Sequence, residues 1–118
     1  MADFLTLVAG GAISRVDPVA TGLNPASRDA NVHVMLTESW PEGTNSSAIN
    51  QLRQAGTAGE QLRSLAPQSG AYLDKASLYE TNPKQTLFRS HYKAIEATKK
   101  VYDPLDLFVV AEGVGSDD

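Results

Sequence analysis

The sequence predicts an α+β fold: a small antiparallel sheet with two main helices packed on one face, the other face being free for a partner or a ligand. Three observations indicate this class. Apolar segments with strand-like alternation begin the chain, two segments with helical spacing follow, and short apolar runs precede and follow the second helix. The resulting order is strand, strand, helix, strand, helix, strand, which is typical of an α+β domain.

The length and composition fit a single domain spanning residues 1–118. The chain has no cysteine, which excludes a disulfide framework, a thiolate nucleophile and a thiolate metal site. A net charge of −4 argues against a nucleic-acid surface, because phosphate binding needs clustered Lys and Arg. Residues 4–13 are mostly apolar but too few to cross a bilayer, and no targeting segment is visible. We therefore expect a cytoplasmic protein that binds neither nucleic acid nor a membrane.

Two strand-like segments occupy the first third of the chain. Residues 4–8 predict one strand, and residues 13–16 are a candidate continuation beyond a bend at Gly10-Gly11. Residues 17–30 are rich in turn-forming residues and predict a long loop. Residues 31–40 give the clearest alternation. One face of this second strand is apolar and expected in the core, namely Val32, Val34 and Leu36. The other is mixed and suits a pocket or an interface, namely His33, Met35 and Thr37.

The first helical segment runs from residue 45 to residue 65. Thr44 or Asn45 can cap it by accepting a hydrogen bond from a free backbone N–H group. Gly56 and Gly59 weaken its middle, since each glycine costs up to ~1 kcal/mol relative to alanine in a helix. The pattern therefore predicts either one bent helix or two short helices.

A second helix is predicted by one amphipathic stripe, formed by Phe88, Tyr92, Ile95, Lys99 and Tyr102. Pro104 cannot continue a helix and ends it. We expect both tyrosines of the stripe to be structural. Residues 70–75 before the helix and 107–110 after it predict short strands. His91, near the helix start, is expected at the surface.

Several motifs in this region carry a family resemblance. They are Ser69-Gly70-Ala71-Tyr72-Leu73, residues 88–92, Lys99 with Tyr102-Asp103-Pro104, Phe108 and the stretch 113–116, together with weaker matches at residues 10–16 and 24–30. The sequence resembles the C-terminal substrate-domain part of the berberine-bridge-enzyme-like FAD-linked oxidoreductases. In that family a long N-terminal domain binds the flavin, often through a covalent His and Cys. This sequence contains no such region and no Gly-rich phosphate loop, so we expect no bound cofactor and no oxidase activity from this chain alone.

Departures from the family motif fall beside the expected site. The resemblance implies Tyr-x-Asn-Glu or Tyr-x-Asn-Tyr where this sequence has Tyr72-Leu73-Asp74-Lys75. It also implies Gly and Asn at the positions of Arg89 and His91. The charged residues at positions 74 and 75 put a retained flavin contact in doubt and fit a remade site.

Three residues are candidates for catalysis. The resemblance implies that Tyr72 lies beside the substrate, and alternation along a strand would place Asp74 on the same side. His33 belongs to the mixed face of a strand that we expect to neighbour this one. A phenol, a carboxylate and an imidazole together could donate, accept and transfer protons. The alternatives are a Tyr72 with its ring in the core, a solvated Asp74 and a structurally satisfied His33. Two His and no Cys argue against a metal site.

These observations are consistent with three hypotheses about the function of the protein. The first is a flavin-free enzyme of secondary metabolism that isomerises, cyclises or rearranges a reactive small-molecule intermediate. The second is a non-catalytic partner of a separate flavin-bearing chain, and the third is a remnant without activity of its own. The free sheet face predicts a homodimer in the first reading and a heterodimer in the second.

Overall fold

Two antiparallel strands, β1 (Ala2–Leu7) and β2 (Val32–Thr37), form the sheet of this protein. The computed structural model describes residues 2–37, 39–55 and 58–116. The register sets Thr6 opposite His33 and Phe4 opposite Met35. Because paired residues of a sheet share a face, His33 and Met35 lie on the same side as Phe4. The expected small antiparallel sheet is therefore confirmed.

Four α-helices in the described part of the chain complete the α+β class that the sequence predicts. They are α1 (Ala26–Asp29), α2 (Ser46–Ala55), α3 (Ala58–Leu65) and α4 (Tyr92–Tyr102). Short 3₁₀ turns lie at Ile13–Arg15, Pro18–Ala20, Leu73–Lys75 and Arg89–His91, and a π-helical turn lies at Lys84–Phe88. The candidate strand at residues 13–16 is thus a turn, and the long loop at 17–30 contains α1.

The first helical segment contains two helices in the described residues, α2 and α3, and residues 56–57 between them lie outside the described part of the chain. Asn45 caps α2, since its Oδ1 accepts a hydrogen bond from the Ala48 N–H at 2.8 Å. Of the two glycines predicted to weaken this segment, Gly56 lies outside the described residues and Gly59 lies within α3. Arg63 of α3 pairs with Glu80 at 2.8 Å and so attaches this helix to the segment before α4.

The two strands predicted near α4 are wrong. Residues 73–75 form a 3₁₀ turn, in which the Lys75 N–H donates to the Tyr72 carbonyl oxygen at 3.0 Å. Residues 107–110 form neither helix nor strand. The Asp103 carboxylate accepts hydrogen bonds from the N–H groups of Leu107 and Phe108, at 2.8 and 3.1 Å. These two backbone N–H groups are therefore hydrogen-bonded to Asp103 at the end of α4 and do not pair with a neighbouring strand.

Only the first turn of α4 is anchored in the interior. Tyr92 is 8% exposed, packs edge-to-face on Phe88 with ring centroids 5.7 Å apart, and lies under the Lys84 ammonium group. Tyr102, at the other end, is 83% exposed, so its expected structural role is wrong. The reason is that α4 packs mainly against the turns that precede it, and its last turn leads away from them. His91, expected at the surface, is buried instead.

The interior of the described chain is small. Leu87 and Tyr92 are its buried apolar side chains, whereas Val32 and Val34, predicted to be core, are exposed. Their β1 partners Leu7 and Leu5 are exposed too, because no further strand lies beside the pair in the described residues. The Cα radius of gyration is 16.3 Å, compared with about 13.5 Å for a compact domain of this length. Much apolar surface therefore faces outward.

None of the helices in the described residues has the length and apolar character needed to span a lipid bilayer. The sequence-based expectation concerning membranes rests on the same two properties, length and apolar content. The helices are short and each carries charged or amide side chains along its length.

Candidate functional site

A cavity of about 280 Å³ opens between the start of β2, helix α1 and residues 69–72. Its lining is mostly apolar, with a few polar groups, and consists of Val8, Ile13, Leu23, Ala26, Ser27, Ala30, Val32, His33, Ser69, Gly70, Ala71 and Tyr72. Cavities that bind small molecules share this composition, with apolar walls and a small number of polar groups that fix orientation. This cavity is the candidate site.

Asn24 holds the two halves of the cavity together. Its side chain is buried, and its Nδ2 donates to the carbonyl oxygens of Thr86 and Leu87, both at 2.9 Å. Its Oδ1 accepts from the Ala26 N–H at the start of α1. The Ala71 N–H donates to the same Thr86 oxygen at 2.9 Å. The wall at residues 69–72 is therefore hydrogen-bonded to the Thr86 carbonyl oxygen, and the wall formed by α1 is joined to the same oxygen through Asn24.

Gly70 is required where the wall passes this point. A Cβ at position 70 would lie 2.5 Å from Asn24 Nδ2 and 2.9 Å from the Thr86 carbonyl oxygen. Both distances are shorter than van der Waals contact, so only a residue without a side chain allows the approach. The Ser69-Gly70-Ala71-Tyr72 motif thus has a packing reason for its glycine.

Tyr72 and Asp74 form a hydrogen-bonded pair at the cavity. The Tyr72 hydroxyl donates to Asp74 Oδ2 at 3.0 Å, and Tyr72 is 57% exposed. This hydrogen bond, with the negative charge of the carboxylate, raises the pKa of the Tyr72 phenol above its ordinary value of 10.0. Near neutral pH the phenol is therefore protonated, with its proton directed at the carboxylate. A substrate hydroxyl could donate a hydrogen bond to the phenol oxygen, which Asp74 holds in place through the phenol proton.

His33 lines the same cavity, but not because of the strand pairing that was predicted. Its strand pairs with β1 and not with the Tyr72 segment. His33 and Tyr72 nevertheless both line the cavity, whereas Asp74 is not part of the lining and contacts it through Tyr72. The structure thus brings two of the three predicted residues to one cavity and hydrogen-bonds the third to one of them. Strand alternation, the reason given for Asp74, does not apply because residues 73–75 form a turn.

Arg89 has a backbone conformation that is uncommon for its residue type. Its φ is 51° and its ψ is −131°, close to the mirror image of the extended region, where glycine is favoured. Such a conformation costs of order 1–3 kcal/mol in a residue with a Cβ. Its side chain donates from Nη1 to the carbonyl oxygens of Gln68 and Ser69, at 2.6 and 2.9 Å, and from Nη2 to Gln68 Oε1 at 2.7 Å.

Within the described residues no three His, Asp or Glu side chains are grouped so that they could hold a metal ion. The two histidines lie in different parts of the fold. His33 lines the cavity, and His91 is buried at the start of α4. The cavity chemistry described above rests on hydrogen-bonding groups alone.

Comparison with known proteins gives a consistent set of relatives. The chain is 36% identical over 107 residues to the FAD-linked oxidoreductase patO of Aspergillus clavatus, an alignment that covers 89% of this chain and 19% of that protein. It is 32% identical over 113 residues to an uncharacterized FAD-linked oxidoreductase of Arthroderma benhamiae, with 94% and 19% covered. It is 32% identical over 114 residues to the flavin-dependent oxygenase ucdF of Aspergillus ustus, with 95% and 20% covered.

The chain is homologous to a segment of FAD-linked oxidoreductases. This confirms the family resemblance drawn from the sequence motifs. The chain spans about a fifth of the length of these relatives. No family model matches it, and no solved structure matches it.

The cavity does not fit a whole FAD. Its volume of about 280 Å³ lies at the lower end of ligand pockets, and none of its lining residues is Lys or Arg. The diphosphate of the dinucleotide would have no cationic partner in it. The cavity fits a smaller, largely apolar and neutral molecule instead.

Sequence reasoning missed the residues that hold the cavity together. Asn24 was assigned to a loop, although an Asn before a short helix is a recognisable turn and cap residue. Its contacts with Thr86 and Leu87 join distant parts of the chain and leave no periodic signal. Arg89 did leave a signal, since it occupies a position where the resemblance implies glycine.

Proposed function

We propose that this chain forms the substrate-binding segment of an FAD-linked oxidoreductase and holds a small neutral molecule, while the flavin is bound by residues outside the segment. The observation that carries this proposal is the alignment of nearly the whole chain with a fifth of each oxidoreductase. The cavity supports it, because its size and apolar lining suit a small molecule and not a dinucleotide.

The exposed apolar surface supports a role beside a larger body. At the end of α4 and just after it, seven apolar residues are exposed and are here called the C-terminal strip: Val101, Tyr102, Leu105, Leu107, Phe108, Val109 and Val110. Exposed apolar surface of this extent usually marks a contact with a partner. The flavin-binding part of an oxidoreductase is the partner that the alignments favour, since the relatives are about five times longer than the segment they share with this chain.

The Tyr72–Asp74 pair gives the cavity its polar end. A ligand hydroxyl can donate a hydrogen bond to the phenol oxygen while the apolar part of the ligand lies along Val8, Ile13 and Leu23. Asp74 fixes the orientation of the phenol by accepting its hydrogen bond. His33 on the β2 side offers a second donor or acceptor. The ligand is therefore a neutral molecule with one polar group, smaller than the flavin.

A second candidate function is a flavin-free isomerase or cyclase that uses the same cavity. The Tyr72–Asp74 hydrogen bond favours it, because a phenol fixed by a carboxylate can orient a reacting hydroxyl group without any cofactor. In this case the exposed faces of β1 and β2 would be covered by a second copy of the chain, giving the homodimer expected from the sequence. The two candidates share the ligand site and differ in the partner.

Binding of p-cresol tests the shared site, since it is a small aromatic ring with one hydroxyl group. In amide NMR spectra of the 118-residue chain, p-cresol should shift the signals of Gly70, Ala71 and His33. Tyr72→Phe should weaken binding by about three- to tenfold, the effect of one lost hydrogen bond.

Tyr102→Phe is the matched control, because it removes a hydroxyl from an exposed tyrosine that does not line the cavity. It should leave the affinity for p-cresol unchanged. If p-cresol shifts no cavity signal in the wild-type chain, the cavity is not a small-molecule site and the proposal fails.

A further inference from the structure

Arg89 joins a strained backbone to a specific set of hydrogen bonds. Its φ of 51° places it in a conformation that glycine adopts without strain. Its guanidinium donates to the carbonyl oxygens of Gln68 and Ser69 and to the Gln68 side chain. An uncommon backbone conformation that persists beside a candidate site is a reason to look for a function.

These hydrogen bonds end on the cavity wall. Ser69 lines the cavity, and the next three residues, Gly70, Ala71 and Tyr72, line it as well. Ala71 is fixed from the other side by its hydrogen bond to the Thr86 carbonyl oxygen. Arg89 therefore fixes the beginning of the wall, and Thr86 fixes its middle.

We propose that Arg89 is a positioning residue for the candidate site, fixing the Gln68–Ser69 turn so that residues 69–72 keep the shape that receives the ligand. The proposal rests on the proposed function, in which this cavity binds the small molecule. Arg89 does not line the cavity and does not touch the ligand. It acts through the two carbonyl oxygens of the turn.

Because the backbone of Arg89 is strained, a glycine substitution at this position distinguishes a positioning role from a stabilising one. Glycine at position 89 would relieve the unfavourable φ, while the three hydrogen bonds it removes lie at the exposed surface, where each contributes little to folding. A glycine variant should therefore fold at least as stably as the wild-type chain. Its cavity wall, however, should lose the hydrogen bonds that Arg89 makes to it and keep those from Ser69 to Ala66 and from Ala71 to Thr86.

The test compares Arg89→Gly with the wild-type chain in three measurements. The melting temperature should be unchanged or higher. Amide hydrogen exchange at Ala71 should become about tenfold faster, because the wall opens more often. The dissociation constant of p-cresol should rise about tenfold. Arg89→Lys keeps a cation that can donate to the same carbonyl oxygens. Its exchange rate at Ala71 and its dissociation constant for p-cresol should therefore lie between those of Arg89→Gly and the wild-type chain.

Glu112→Gly is the matched control, since Glu112 also has a positive φ, of 60°, and does not line this cavity. It should change neither exchange at Ala71 nor p-cresol binding. Wild-type exchange at Ala71 in Arg89→Gly, or failure of that variant to fold, would overturn the positioning role. If the wild-type chain does not bind p-cresol, the proposed function fails, and exchange at Ala71 still decides the role of Arg89.

Discussion

The side-chain amide of Asn24 donates to the carbonyl oxygen of Leu87 at 2.9 Å, although 63 residues separate them in the sequence. The same amide donates to Thr86, so one buried side chain joins the N-terminal turn region to the segment before α4. Asn24→Ala should lower the free energy of unfolding by about 1–3 kcal/mol, because the buried hydrogen bond to Leu87 and the part-buried one to Thr86 are both lost. Urea denaturation measures this. Asn50→Ala, on the exposed side of α2, is the control and should stay within about 0.5 kcal/mol of the wild type.

A pair of glycine substitutions tests the close approach at the cavity wall. Gly70→Ala should destabilise the fold by about 1–3 kcal/mol, since its Cβ would clash with Asn24 Nδ2 and the Thr86 oxygen. Gly59→Ala should instead stabilise it by about 0.5–1 kcal/mol, because this helical glycine has open space around it. Thermal melting of both variants checks the prediction. Equal effects of the two substitutions would contradict the packing described at Gly70.

Two tyrosines of one helix should respond differently to truncation. Tyr92→Ala should cost about 3–5 kcal/mol, the range for a large buried aromatic side chain, because the ring is 8% exposed and contacts Phe88. Tyr102→Ala should change stability by no more than about 0.5 kcal/mol, since its side chain faces solvent. Melting curves of the two variants give the comparison. A large loss in Tyr102→Ala would place the end of α4 in contact with other residues.

The Tyr72 phenol should titrate above its ordinary pKa, because Asp74 accepts its proton in a hydrogen bond. A group whose pKa is raised on folding stabilises the fold below its unfolded pKa, here about pH 10, and loses that contribution as pH rises through the folded value. Subtracting the ultraviolet titration of Tyr72→Phe from that of the wild type isolates this phenol. In Asp74→Asn the pKa should move back toward the ordinary value. An unchanged pKa in that variant would show that the pair does not form.

The features predicted correctly from the sequence are those with a local signal. The two strands alternate, Asn45 sits before a helical pattern, and Pro104 follows α4 closely, so each could be read from neighbouring residues. The predicted strand at 107–110 failed although the contact that prevents it is local, because alternation of apolar residues does not show which acceptor the backbone N–H groups find. Its residues favour a strand, but the Asp103 carboxylate takes the N–H groups of Leu107 and Phe108.

The sequence predicted residues that line the candidate site, but not the residues that hold its walls together. The family motif led to Tyr72, and the mixed face of β2 led to His33. Their common cavity depends on Asn24 and Gly70, whose contacts cross the fold and have no periodicity in the sequence. The core was overestimated for a similar reason, since Val32 and Val34 have a core-like pattern but remain 42% and 38% exposed in the described chain.

We infer that this chain is the substrate-binding segment of a larger flavin-bearing body. The direct test is to co-express it with the FAD-linked oxidoreductase patO of Aspergillus clavatus from which the matching segment has been deleted, and to purify through a tag on this chain. Phe108→Asp, which places a charge on the C-terminal strip, is the control variant and should abolish co-purification. We predict that the wild-type chain retains the deleted oxidoreductase and that the purified complex shows visible flavin absorbance. A chain that purifies alone and colourless beside a soluble, flavin-bearing deletion protein would contradict the claim.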